Sequence, residues 1–258
     1  MSSDAWTAHF TSIGQGRIHH VEAGDGEPLV LLHATGSSAF QWRHVMQQLA
    51  RKWRVLAPDI PGHGDSAPIT AHASIRDHAL AILDWMSALG LDRPALSGNS
   101  VGGCICLSLA SEFAERISRA VFVETPLRTD AQWAAGWPAA ERYFNEVSTP
   151  IDVLKTRFRE VSPELHERWN IDRNKAGARN MMDAVRAIRK FDAIEALGKL
   201  RVPGAAILGE RGPVKDGLPL WRNALPAGRV VKIADAGHFP MIEAPEAFSA
   251  ALARLLGD

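Results

Sequence analysis

Pro94-Ala95-Leu96-Ser97-Gly98-Asn99-Ser100-Val101-Gly102-Gly103 is the stretch that decides the fold. A short apolar run ends in Gly-x-Ser-x-Gly, and a long helical pattern follows at once. This predicts a strand turning sharply into a helix, with Ser100 at the apex. So tight a turn holds its serine in strained backbone geometry, and nothing bulky fits two residues to either side. Gly98 and Gly102 meet that demand, and Gly103 is expected to let the helix press close to its strand. The hydroxyl should then project above the sheet edge, at the positive end of a helix. The five-residue pattern alone arises by chance in about one chain of this length in ten, given glycine near 7%. Its setting between strand and helix is what marks Ser100 as a nucleophile.

The chain has 258 residues, enough for one α/β domain with a sizeable core and an insertion. Hydrophobic residues make up 46% and charged residues 22%, as in soluble globular proteins. Lysine plus arginine and aspartate plus glutamate each number 29. That balance supplies no basic field for nucleic acid or for an anionic membrane. Residues 1–10 lack the basic flank and apolar core of a secretory signal, and no apolar run is long enough to span a bilayer, so a cytoplasmic location is expected. Cys104 and Cys106 lie two apart on one predicted helix, cannot comfortably bridge each other, and read as packing thiols. Neither a metal-ligand cluster nor a nucleotide loop appears, so no metal or cofactor is expected and the partner should be a small-molecule substrate.

Working outward, residues 9–13 and 17–23 read as strands joined at Gly14–Gly16, and 28–32 as a buried strand ending in a small-residue loop, 33–38. Residues 40–51 form an amphipathic helix, with Trp42, Val45, Met46 and Leu49 on one stripe. A strand over 54–57 follows, then a helix opened by a Ser74–Asp77 capping box and closed at Gly90. Residues 120–123 complete the first run of strands. From Pro126 to about Leu200 the pattern is helical only, with Thr149-Pro150 and Ser162-Pro163 as cap-plus-first-position pairs and a third helix over 175–189. Strands return at 205–208 and 229–234, with a short helix at 218–224 between them and a closing helix from Pro245. The expected fold is α/β: a mostly parallel central sheet with helices on both faces, its core at 1–125 and 201–258 interrupted by a helical insertion at 126–200.

Ligands of such sheets bind at the carboxyl ends of the strands, where His33, Asp59, Ser100 and Glu124 are expected. A serine hydroxyl needs a base in contact with it, and the base needs a carboxylate to fix its tautomer. His238, in Gly237-His238-Phe239-Pro240 after the last strand, is the best base; His33 and His63 read as loop and turn residues.

His33 with its small-residue loop, Asp59-Ile60-Pro61-Gly62-His63-Gly64-Asp65-Ser66, Gly98–Gly103 and Ala236–Pro240 together resemble the α/β-hydrolases, over nearly the whole chain. The resemblance implies a helical lid, a Ser, acid, His order, and an oxyanion hole from the backbone N–H groups of Thr35 and Val101. One departure stands out. Where many relatives carry the catalytic aspartate, this chain has Gly212. Three carboxylates compete for the role. Glu210 and Asp216 flank Gly212 but lie off the expected position, whereas Glu124 follows the strand beside the elbow strand and emerges at the same edge. Glu124 is therefore the expected acid, an arrangement similar to that of some haloalkane dehalogenases of this fold; the competing reading is that it caps the insertion or pairs with Arg128. The leading expectation is a serine hydrolase acting on an ester, lactone or thioester, a carboxylesterase-like enzyme. Carbon–carbon bond hydrolysis and a non-catalytic binding role are the alternatives.

Overall fold

The computed structural model describes residues 6–69 and 72–257. Eight strands form one sheet: β1 (Thr7–Ile13), β2 (Gly16–Ala23), β3 (Glu27–Leu32), β4 (Trp53–Pro58), β5 (Ala95–Asn99), β6 (Arg119–Val123), β7 (Gly204–Gly209) and β8 (Val230–Ile233). Their order is β1-β2-β4-β3-β5-β6-β7-β8. β2 pairs antiparallel with β1 and with β4, and every other pairing is parallel. Both faces are covered, which is why the central strands read as continuous apolar runs rather than as alternation. Successive side chains of β3 still point to opposite faces: Val30 and Leu32 join one core cluster, Leu29 and Leu31 the other. The first cluster takes the inner faces of α2 (Ile75–Ala88) and α3 (Val101–Glu112), the second those of α1 (Arg43–Leu49) and the closing helix (Pro245–Gly257).

Local signals set most of these boundaries. Ser74 and Asp77 cap α2 reciprocally, and Gly90 follows its last turn with φ 64°. The apolar stripe through Trp42 and Leu49 is buried, but residues 39–42 wind as a 3₁₀ turn before α1 begins. Register places Asn99 opposite Val123 and Val123 opposite Ile207. The residues that follow β5 and β6 therefore meet at one edge.

Between β6 and β7 the chain is helical: α4 (Asp130–Asn145), α5 (Ile151–Lys155), α6 (Pro163–Lys190) and α7 (Ala193–Gly198). The expected helix over 175–189 is the second half of α6, set off from the Ser162-capped half at Gly177, whose φ of 73° and ψ of 155° are not helical and which glycine tolerates. One expectation needs correction. Thr149 does not cap α5, which begins one residue later with Pro150 as its cap. The Thr149 hydroxyl instead accepts from Trp169 Nε1 at 3.2 Å, and its N–H donates to Asn170 Oδ1 at 2.7 Å. No helix among the described residues is long and apolar enough to cross a membrane.

Buried histidines, among them His20, His63 and His78, are expected to make this fold acid-sensitive. Burial pushes His63 down to about 3, and pushes His20 and His78 down to about 4. The native state holds them neutral, while the unfolded chain protonates them near 6.5. Their contribution is complete above that value and is lost as pH falls towards 4. The urea midpoint is expected to drop between about pH 7.5 and about pH 5; an unchanged midpoint would contradict this.

Candidate active site

Ser100 sits between β5 and α3 with φ 57° and ψ −114°, outside the helix and strand regions. Packing enforces this geometry. A Cβ on Gly98 would lie 2.2 Å from the Gly102 carbonyl oxygen, and one on Gly102 would lie 2.2 Å from that of Leu32. A Cβ on Gly103 would lie 2.9 Å from the Gly98 carbonyl oxygen, on the helix's own strand as expected, and would also overlap the Thr125 hydroxyl after β6. The Ser100 N–H donates to the Val123 carbonyl at 3.0 Å, which ties the turn to β6. Val101 is the first residue of α3, so its N–H is among those a helix leaves without an intrahelical acceptor.

Glu124 follows β6 with φ 44°, and its side chain is fully buried. Oε1 accepts from the Gly209 N–H at 2.7 Å, and Oε2 lies 3.1 Å from His238 Nδ1. A carboxylate on Nδ1 places the proton there and leaves Nε2 as the acceptor of the neutral ring. Glu210 and Asp216 are exposed and engaged elsewhere: Glu210 accepts from the Asp235 N–H at 3.3 Å, and Asp216 lies near Arg128. His33 cannot serve as a base. It is fully buried, its Nδ1 donates to the Ala34 carbonyl at 2.8 Å, and its Nε2 accepts from the Ile60 N–H at 2.9 Å. Burial also holds it below the ordinary histidine range. His63, in the turn after β4, packs 5.5 Å from it. Asp59 accepts from the Ala39 and Asp65 N–H groups and from His19 Nδ1, a knot that orders the loops beside the site.

Ser100, His238 and Thr35 open together onto a cavity of about 330 Å³. Its walls include Trp133 and Phe144, while Trp169 packs instead against Phe158 and Phe239 in the second core cluster.

A family model described as alpha/beta hydrolase fold matches residues 27–150. The enol-lactonase from Burkholderia xenovorans LB400 is similar in structure, with a TM-score of 0.81 and 21% identity over 97% of this chain and 100% of that one. The chain has the α/β-hydrolase fold. In sequence it is 26% identical over 273 residues to 2-hydroxy-6-oxo-6-phenylhexa-2,4-dienoate hydrolase of Burkholderia cepacia, covering 96% of this chain and 95% of the relative. It is also 35% identical over 113 residues to a soluble epoxide hydrolase of Corynebacterium sp. strain C12, covering 44% of this chain and 40% of that protein.

In this α/β-hydrolase fold the missing aspartate has a steric counterpart. A Cβ on Gly212 would lie 2.2 and 2.4 Å from the two carboxylate oxygens of Glu124. Any side chain at 212 therefore excludes the observed Glu124 conformation.

Two further residues escaped the sequence reading. Gln41 Oε1 accepts from the Ala34 N–H at 3.0 Å, and Gln41 Nε2 donates to Asn99 Oδ1 at 3.1 Å. Asn99 Nδ2 donates in turn to the carbonyls of His238, at 3.2 Å, and Val123, at 3.3 Å. The chain of bonds joins the loop before Thr35, the turn at Ser100 and the loop of His238. No local pattern announces Gln41, which lies between two aromatics.

Glu124→Gln is expected to lower kcat on an activated ester by up to about 10⁴. Gly212→Ala should displace the carboxylate and cost about 10². Steady-state kinetics on folded variants checks both, and wild-type turnover in either would remove Glu124 from the chemistry.

Proposed function

We propose that the protein is a serine hydrolase that cleaves an ester, lactone or thioester of a small molecule through an acyl-enzyme. One observation carries this reading: a histidine held on Nδ1 by a buried carboxylate shares a cavity with a serine at a strained strand-to-helix turn. Ser100 Oγ attacks the acyl carbon while His238 Nε2 takes its proton. The N–H groups of Thr35 and Val101 stabilise the tetrahedral oxyanion, each by about 10²–10³ in rate. His238 then protonates the leaving oxygen or sulfur, and later deprotonates the water that releases the acyl group. Glu124 stays ionised throughout and stabilises the imidazolium. Residues 126–200 act as the lid over a core formed by 1–125 and 201–258.

Likeness to the Burkholderia cepacia dienoate hydrolase over nearly the whole chain favours one second reading, hydrolysis of a carbon–carbon bond beside a carbonyl. Epoxide opening does not carry over. A serine alkoxide attacking a saturated carbon would leave an ether, with no carbonyl for water to attack.

A fluorophosphonate probe is expected to label Ser100, and Ser100→Ala or His238→Ala to abolish labelling. Ser100→Ala should also reduce turnover to the residual of about 10³–10⁴ over water left by binding and the oxyanion donors. Turnover of p-nitrophenyl esters compared with that of a vinylogous diketone separates ester from carbon–carbon cleavage. An unlabelled, inactive wild type would leave a binding protein.

A further inference from the structure

Two arginines line the same cavity as Ser100 and His238. Arg128, just after β6, and Arg157, just after α5, both contribute to its wall. No aspartate or glutamate lines it; apart from these two and His238, the described lining residues are uncharged, and most are apolar. Neither guanidinium is in an ion pair among the described residues. Arg128 lies over the Trp133 ring at 5.0 Å and makes one long contact, 3.4 Å, with the Pro213 carbonyl. Asp216 is near enough to favour its charge, but lines the adjoining cleft and not the cavity of Ser100. Arg157 stacks on the Tyr143 ring at 3.6 Å.

The positive charge is reinforced from behind. Arg173, fully buried, takes the other contact with Tyr143 at 4.4 Å and donates to the Tyr143 and Glu146 carbonyls at the end of α4. Carbonyls satisfy part of that guanidinium without neutralising it, and it opposes the charge on Arg157. Two guanidiniums therefore line the cavity and a third lies behind Tyr143, none of them in an ion pair with a carboxylate among the described residues. Partly desolvated cations held this way are costly unless a ligand compensates. A planar guanidinium suits a carboxylate, which can accept two parallel N–H bonds. A volume of about 330 Å³ lies at the small end of small-molecule sites.

We infer that the substrate carries its own carboxylate, held by Arg128 and Arg157, while its ester, lactone or thioester carbonyl lies at Ser100. The class is thus the half-ester of a short dicarboxylic acid, or a lactone bearing an acid group. The inference rests on the serine-hydrolase reading, but binding tests it separately. The lid arginines then select the substrate, and the serine, histidine and glutamate process it. Neutral esters of the same length compete poorly, because they leave the guanidiniums unpaired.

The test uses the full chain. Wild-type kcat/KM is measured for the p-nitrophenyl half-ester of glutaric acid and for its methyl-capped diester. The half-ester is expected to lead by on the order of ten- to a hundredfold, the range of a hydrogen bond to a charged group. Arg128→Met and Arg157→Met should each shrink that ratio, chiefly through KM. Calorimetry on the Ser100→Ala protein gives a readout without turnover: monomethyl glutarate should bind more tightly than dimethyl glutarate, and the difference should fade at high salt. Equal rates and equal binding for the charged and neutral compounds in the wild-type and Ser100→Ala proteins, which need no arginine variant to fold, would overturn the inference. If the charged ligand binds preferentially but Ser100 takes no probe, the serine-hydrolase reading fails and the anion site stands.

Discussion

The carboxylate of Glu124 fills a space that exists only because residue 212 has no side chain. From that space it reaches the N–H of Gly209, the last residue of β7, and the inner nitrogen of His238. Three segments far apart in the chain, the ends of β6 and β7 and the loop after β8, are thereby held in one geometry. Two carboxylates could not share this volume, since a side chain at 212 would overlap the one from 124. A glycine in place of the familiar aspartate and a glutamate one strand away are thus two halves of a single arrangement.

The polar path through Ala34, Gln41, Asn99 and His238 does similar work on the other side of Ser100. Each donor along it is buried and meets an acceptor, so the loops at the sheet edge cannot shift independently without leaving a polar group unpaired. Preorganisation of this kind matters where charge develops on a reacting atom, because the surrounding dipoles need not rearrange. Helix α6 is anchored to the same edge, with Ser38 donating to Asp172 at 3.0 Å and Arg168 pairing with that carboxylate. The helical block therefore completes the cavity over a rigid base and brings its own chemistry, two half-buried guanidiniums beside aromatic rings.

Much of the fold was legible because the governing rules are local. A turn too tight for Cβ atoms demands glycines two residues either side of Ser100, a capping box needs only residues 74 and 77, and apolar runs mark strands covered on both faces. Errors arose where local signals compete with distant ones. Thr149 looks like a cap until its hydroxyl is found on Trp169, and the stripe that begins at Phe40 winds as a 3₁₀ turn before α1.

The sequence by itself determined the order of strands and helices, the position of Ser100 at the turn and the placing of His238 after the last strand, since each depends on residues within a few positions. Only the tertiary structure decided which carboxylate faces His238, what Gln41 and Asn99 connect, and which arginines line the cavity. Those contacts join residues 114 apart for Glu124 and His238, and 58 apart for Gln41 and Asn99. Sheet register and the packing of α4 to α6 bring such groups together, and neither is written in any one stretch of the chain.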